Sequence, residues 1–242
     1  MSGYFRLPGG YVLALDEYAP FPPLKTALRE PNGLIAIGGD LSPERLLEAY
    51  RAGIFPWYSS GQPVFWWSPD PRMVLFPQEL KVSRSLARRI KKRDYEIRCD
   101  TAFQAVMKAC ADTSRPDQDG TWIVPEMVEA YCDLHERGYA HSVETWMDGK
   151  LAGGLYGVAM GGMFYGESMF HRVTDASKIT LVHLVRFLGA HGYGMIDCQM
   201  HTSHLASLGA REIAREDFAE HLNALANLPH PPGKWEFHDI AE

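Results

Sequence analysis

No stretch of this 242-residue chain approaches the roughly 18 consecutive apolar residues of a membrane-spanning helix. The opening Met1-Ser2-Gly3-Tyr4-Phe5-Arg6 also lacks the apolar core of a signal peptide, so a cytoplasmic location with no membrane partner is expected. Cysteine is scarce: Cys99, Cys110, Cys132 and Cys198 form no CxxC pair and no short ligand spacing, which argues against a zinc knuckle and a disulfide framework. A Walker loop and a Rossmann fingerprint are both missing, and no internal repeat or low-complexity segment is present. Gly166-Glu167-Ser168-Met169-Phe170 lacks the second glycine of a serine-hydrolase elbow. Asp197, His201 and His204 have no ligand spacing that supports a metal, so neither a metal nor a cofactor is expected. A formal charge of -6 argues against a general polyanion binder.

What is present departs from these averages in three places. Met163-Phe164-Tyr165-Gly166-Glu167-Ser168-Met169-Phe170 and Tyr193-Gly194-Met195-Ile196-Asp197-Cys198-Gln199 read as buried strands that nevertheless carry acids. An unpaired carboxylate is costly in such a place, so Glu167 and Asp197 are candidates for chemistry, with capping or an arginine pair as the plainer alternative. Between Lys81 and Arg93 lie seven basic side chains and no acid, which points toward a polyanion partner. Gly53-Ile54-Phe55-Pro56-Trp57-Tyr58 and Phe65-Trp66-Trp67-Ser68-Pro69-Asp70-Pro71-Arg72 suggest a rigid aromatic wall at a domain junction, although packing alone accounts for Trp66 or Trp67.

The chain divides near residue 70, giving a small domain over 1–70 and a larger one over 71–242. Residues 1–40, rich in Pro and Gly, are expected to form loops and short strands. Ser42 and Pro43 open a helix that Gly53 ends, with Leu46, Leu47 and Tyr50 on its apolar face. A strand near 72–76, a basic helix capped by Ser83, a strand at 95–99 and a helix from about 102 to 111 follow. The polar loop 112–119 leads toward a helix opened by Pro125 and closed by Gly138. His141 to Met147, Leu151 to Met160 and Met163 to Phe170 read as an antiparallel meander turned by Asp148-Gly149 and Gly161-Gly162. A helix from about Ala176 to His191 then crosses to the strand 194–199, making a parallel pair. A helix, a strand and the helix Glu216 to Asn227 complete the unit, and the segment from Pro231 onward is expected to be peripheral. The fold class is therefore α+β, with a mixed, mainly antiparallel sheet and one β-α-β crossover, and such a sheet offers an opening where the pairing changes hand.

Acyl transfer to an amine suits these residues. If the donor is an activated ester, the protein chiefly positions the reactants and favours the neutral amine. Residues two apart on a strand share a face, so Gln199, oriented by Asp197, could draw a proton from an α-amine of reference pKa about 7.7–8.0.

Arg29-Glu30-Pro31-Asn32-Gly33-Leu34, Gly38-Gly39-Asp40-Leu41, Gly53 to Trp57, Trp66 to Arg72, Gly120-Thr121-Trp122-Ile123, Gly166 to Phe170 and Ile196-Asp197-Cys198-Gln199 together resemble the bacterial leucyl/phenylalanyl-tRNA–protein transferases, in order from about Phe21 to about Leu228. The resemblance implies a small N-terminal domain joined to a GCN5-related acetyltransferase-like domain. It implies transfer of Leu, Phe or Met from aminoacyl-tRNA to proteins with N-terminal Arg or Lys, marking them for degradation. By position, Asp197 and Gln199 match the pair that assists proton removal, and Glu167 an acid lining the aminoacyl site. The side-chain pocket would take in Leu155, Phe164, Ser168, Leu181, Leu184 and Ile196, with Leu155 and Leu184 standing where some relatives carry Met and Phe. Trp57, Trp122 and Tyr131 match aromatics near the tRNA 3′ adenosine, and Arg84, Arg88, Arg89, Lys91, Lys92 and Arg93 would meet acceptor-stem phosphates. Nothing in the sequence demands a partner chain, so a monomer is expected. Two rivals stand beside this reading. A CoA-dependent N-acetyltransferase lacks its glycine loop in Phe170 to Lys178, and a non-catalytic tRNA-binding protein leaves Glu167, Asp197 and Gln199 unexplained.

Overall fold

The computed structural model describes residues 3–16, 19–113, 122–229 and 233–235. Most of the polar loop read at 112–119 lies outside these residues. Among the described residues the strands form two sheets, of five and seven strands. The first comprises β1 (Tyr4–Leu7), β2 (Gly10–Leu15), β3 (Leu34–Gly38), β4 (Phe55–Pro56) and β5 (Phe65–Trp67), ordered β1-β2-β3-β5-β4. The second comprises β6 (Arg72–Leu75), β7 (Glu96–Cys99), β8 (Ala140–Met147), β9 (Lys150–Met160), β10 (Met163–His171), β11 (Met195–Gln199) and β12 (Arg211–Ile213), ordered β12-β6-β11-β10-β9-β8-β7. Only β10 and β11 pair in parallel in this larger sheet, as the crossover pattern requires. The class is α+β. Among the described residues, no helix is long and apolar enough to cross a membrane.

Local chemistry accounts for the elements. In α1 (Pro43–Arg51), Ser42 Oγ accepts the Arg45 N–H and Pro43 occupies the first turn, where its missing N–H costs nothing. Ser83 caps α2 (Arg84–Ile90) by accepting the Leu86 N–H at 3.2 Å. Asp148 and Gly149, at φ 49° and 69°, take the two left-handed positions of a tight hairpin, bringing Met147 opposite Lys150. The remaining helices are α3 (Phe103–Ala111), α4 (Pro125–Glu136), α5 (Ala176–Ala190), α6 (Ser203–Ser207) and α7 (Arg215–Leu225).

The larger sheet separates two apolar clusters. One contains Tyr131, Tyr156, Tyr165 and Met195 with Tyr50, Phe55 and Trp66 from the N-terminal part, so the two sheets share this core. The other packs Phe164, Leu155 and Ile196 beneath α5 and Leu86 of α2. Alternation along β10 sends Phe164 to the second cluster and Tyr165 to the first. The expectation of a peripheral C-terminal segment fails at Trp235, which is 8% exposed and belongs to the second cluster. Its indole offers too much apolar area to leave in water when an apolar recess is within reach.

Candidate active site

Two ladder irregularities open the sheet at one place. The parallel pairing of β10 and β11 ends at Tyr165 opposite Asp197. Just beyond, the register with β9 shifts between Gly166 and Ser168, and that between β11 and β6 shifts between Asp197 and Gln199. Gln199 has φ 64°, a left-handed backbone uncommon outside glycine. Bulges of this kind re-aim side chains, and here Glu167 and Gln199 meet across the gap. Gln199 Nε2 donates to Glu167 Oε1 at 2.9 Å.

Glu167 collects two further donors. The Tyr50 hydroxyl donates to Oε1 at 2.7 Å, and the Tyr131 hydroxyl, 3.2 Å from Oε2 and in short contact with the Tyr50 oxygen, shares its single proton between those two acceptors. Burial pushes the Glu167 carboxyl up to about 7; the bond from Tyr50 opposes the rise, the charge of Asp197 adds to it, and the bonds from Tyr131 and Gln199 oppose it again. Burial, followed by the Glu167 charge, raises both phenols well above the ordinary tyrosine value, so they remain protonated donors. Tyr165 adds support by donating to the Tyr50 carbonyl at 2.8 Å. Sequence reasoning placed Tyr50 on an apolar helix face; its hydroxyl was the only signal that it does more.

A buried acid is not by itself a site, as Glu144 shows. Its carboxylate accepts the Thr101 and Ala102 N–H groups at 3.1 and 2.9 Å, the Ser142 hydroxyl at 2.8 Å and the Trp146 indole at 3.1 Å, with a short bond from Thr101 Oγ1. It caps the entry to α3 with its acceptors occupied by structural donors. Glu167 differs in its setting: the bonds it accepts come from the side chains of Tyr50, Tyr131 and Gln199 rather than from the start of a helix, and it stands at the register shift between β10 and β9.

Asp197 has a different environment from the one its spacing suggested. Its carboxylate takes both Nε and Nη2 of Arg72, at 2.8 and 2.6 Å, in a fully buried bidentate pair. The guanidinium lies between the rings of Phe55 and Phe218, at 4.9 and 4.5 Å. Asp197 therefore reaches Gln199 through the backbone, Oδ1 accepting the Gln199 N–H at 2.9 Å, while the Gln199 amide is oriented by Glu167. The arginine alternative for a buried acid is the one realised here. Arg72 was visible only as the end of the Trp66 to Arg72 motif, because its partner lies 125 positions away.

The other expected site residues divide by sheet face. Leu155, Phe164, Leu181, Leu184 and Ile196 come together, all at most 3% exposed, in the cluster on the opposite face from Tyr131 and Tyr165, and Ser168 is half-buried. Trp57 and Trp122 are partly buried against the first cluster, with the Trp57 ring 5.9 Å from Trp67. Tyr131 is fully buried, so it presents its hydroxyl to Glu167 rather than a ring face to solvent. Arg84, Arg88, Lys91, Lys92 and Arg93 are exposed, but Arg89 forms an ion pair with Asp94 and lies 5.9 Å from the Tyr95 ring. The acid just beyond the basic run thus offsets one of its charges. Among the described residues no group of three His, Cys, Asp or Glu side chains is arranged to hold a metal ion.

Comparison with known proteins bears on this geometry. Residues 74–223 match the family model described as leucyl/phenylalanyl-tRNA protein transferase, and residues 39–70 match the model of its N-terminal domain. A leucyl/phenylalanyl-tRNA–protein transferase from Nitrosomonas europaea is 65% identical over 226 residues, covering 93% of this chain and 95% of the relative. One from Chromobacterium violaceum is 64% identical over 218 residues, covering 90% and 93%. Among solved structures, a GCN5-related N-acetyltransferase from Kribbella flavida aligns at 11% identity with a TM-score of 0.37, covering 69% of this chain and 59% of that one.

Proposed function

Because the chain belongs to the leucyl/phenylalanyl-tRNA protein transferase family of tRNA-dependent aminoacyltransferases, we propose that the acceptor α-amine is received at Gln199, in the opening between β10 and β11. The hydrogen bond from Gln199 Nε2 to Glu167 Oε1 carries this reading. With its amide nitrogen committed to a carboxylate, the Gln199 carbonyl is turned away from Glu167 and, as far as the described residues go, available to accept from an amine N–H. The nitrogen attacks the aminoacyl ester, a C–N bond forms, the ester C–O bond breaks, and the proton lost by the amine balances the one gained by the ribose oxygen. Little covalent chemistry falls to the protein. Its contribution is placement, which can be worth about 7–11 kcal/mol when the reactants are held in an attack geometry.

Three side chains divide the work. Gln199 orients the amine, Glu167 fixes the Gln199 amide and supplies negative charge beside the aminoacyl site, and Asp197 holds the Gln199 backbone from its pair with Arg72. Donors are Leu-, Phe- and Met-tRNA, and acceptors are proteins with N-terminal Arg or Lys, marked in this way for degradation. The enzyme acts as a cytoplasmic monomer, with domains over 1–70 and 71–242. Trp57 and Trp122, which are only partly buried, flank the 3′ adenosine, and the buried Tyr131 acts behind them through its hydroxyl on Glu167. Single turnover tests the reading: labelled Leu-tRNA and an Arg-initiated peptide should give ribonuclease-sensitive transfer that acetyl-CoA does not support, and absence of such transfer would sink it.

The apolar cluster of Leu155, Phe164, Leu181, Leu184 and Ile196 receives the transferred side chain, whereas Ser168, paired with Tyr156, stands on the other face of the sheet. Leu181→Ala should move donor preference toward bulkier side chains by ~1–3 kcal/mol, because missing pocket methylenes make room. The same change should cost about 2–5 kcal/mol of stability, since Leu181 is buried. Comparing kcat/KM for Leu- and Phe-tRNA in the folded variant checks the first effect, and an unchanged ratio would argue against this pocket.

The exposed cations of 84–93 bind acceptor-stem phosphates without reading bases. Changing Arg84, Arg88, Lys91, Lys92 and Arg93 to Gln should weaken tRNA binding and flatten its dependence on log salt by about 0.7–0.9 for each phosphate that is no longer neutralised. Arg89→Gln should do less, because Asp94 already offsets that charge. Binding titrations at several salt concentrations decide the matter, and an unaltered slope removes the helix from the interface.

A further inference from the structure

Trp235 lies outside the segments matched by both family models, at 39–70 and 74–223. It is nonetheless tied firmly to the larger sheet. Its backbone N–H donates to Asp100 Oδ2 at 2.8 Å, and the Gly233 N–H donates to the Gly138 carbonyl at 3.1 Å. The indole lies flat on the His141 ring, with centroids 4.0 Å apart and planes 5° from parallel. That imidazole is itself fixed, because Asp100 Oδ2 accepts from Nδ1 at 2.9 Å while Oδ1 accepts the Ser142 N–H at 2.9 Å. The stack therefore rests on a rigid base.

The rest of the indole meets apolar rings. Phe187 stands 4.9 Å away and Phe164 5.7 Å away, centroid to centroid. Phe164 also lies close to the β9 backbone: a Cβ built at Gly157 would fall 2.5 Å from Phe164 Cζ, so the ring fills the space that a side chain there would need. Glycine at 157 is what makes that approach possible. Phe164 is thus hemmed in by Gly157 and Trp235 together, at the start of the parallel pair whose far end lies beside Glu167.

We infer that Trp235 is a specificity-positioning residue: by confining Phe164 it sets the size of the pocket that receives the transferred side chain. The inference rests on the reading that Phe164 and Leu181 line that pocket. An anchor that served stability alone would lower the melting temperature without altering the choice of donor. A wall support alters that choice, because discrimination between apolar side chains depends on how firmly the pocket resists expansion.

The test uses the full chain carrying Trp235→Ala, Trp235→Phe or Leu181→Ala, with KM and kcat measured for Leu-tRNA and Phe-tRNA against an Arg-initiated peptide, and urea unfolding run alongside. Direct pocket contacts discriminate by ~10–200-fold per methylene, so support through one ring should be worth about fivefold. Trp235→Ala is expected to shift the Phe:Leu ratio of kcat/KM by that amount toward Phe, mainly through KM. Trp235→Phe, which keeps a ring on His141, should return the ratio to near wild type even where its stability is reduced. An unchanged ratio in folded Trp235→Ala, with a shifted one in Leu181→Ala, overturns the inference and leaves the pocket reading standing. Unchanged ratios in both variants overturn the pocket reading and the inference with it. Should Trp235→Ala fail to fold, Trp235→Leu carries the same comparison.

Discussion

Glu167→Gln is expected to lower kcat/KM for peptide aminoacylation by about 10²-fold while making the fold more resistant to unfolding above pH 7. The two effects share one cause. Burial raises the Glu167 carboxyl from 4.5 to about 7 in the folded protein. Below about pH 4.5 both folded and unfolded chains keep this proton. Between there and about pH 7 only the unfolded chain releases it, so the wild-type fold loses stability as pH rises. Above pH 7 both states are ionised and the loss levels off at about 3 kcal/mol. The Gln variant has no such loss. Its advantage in urea unfolding should therefore grow from pH 5 to pH 7 and then plateau, and a difference independent of pH would refute the account.

Activity should move the other way. A neutral amide at 167 has one oxygen with which to receive Tyr50, Tyr131 and the Gln199 amide, so the Gln199 carbonyl loses its fixed direction toward the amine. The wild-type rate should rise as Glu167 ionises near pH 7. The variant should keep only the limb set by the acceptor amine, whose reference pKa is ~7.7–8.0. Unaltered transfer by Glu167→Gln, with both limbs intact, would remove this residue from the reaction.

The second large effect is on stability. Asp197→Ala should destabilise the protein by about 3–5 kcal/mol, because it leaves the Arg72 guanidinium buried with no anion beside it. Arg72 is 0% exposed and, among the described residues, keeps only Ser68 Oγ, at 3.3 Å, and the faces of Phe55 and Phe218. Those rings belong to β4 and α7, so the guanidinium joins the N-terminal sheet and the last helix to β6 and β11. Replacing both partners, as Arg72→Met with Asp197→Leu, should recover most of the loss, since removing a buried pair together leaves no unpaired charge. Guanidinium unfolding of the two single variants and the double variant measures this directly. If the double variant is as unstable as the sum of the singles, the ion pair is not the source of the cost.

Positioning through the backbone gives Asp197→Asn a distinct signature. An amide oxygen can still accept the Gln199 N–H, so activity should fall less in this variant than in Glu167→Gln even though the ion pair is weakened. A greater loss in Asp197→Asn would mean that its charge acts on the reaction itself.

Much of the fold was legible because it depends on neighbours in the chain. Ser42-Pro43 specified a helix start, Asp148-Gly149 specified a hairpin, and the spacing of three strands, a helix and a fourth strand specified the parallel pair of the larger sheet, while the parallel pairing of β2 with β3 had no such signal. The acids in strands that should have been apolar were also visible, since burying a carboxylate is costly wherever it occurs.

The identity of their partners was not. Asp197 meets Arg72, Glu167 meets Tyr50 and Tyr131, and Trp235 meets His141, all across long sequence separations. Residue patterns at periods of 2 and 3.6 show which side of an element is buried but not what lies against it. The sequence by itself determined the family, the order of elements and the candidate acids. Only the tertiary structure decided which acid caps a helix, which is neutralised by an arginine and which stands at an opening, because each outcome depends on the donors and the solvent brought to a carboxylate when distant segments pack.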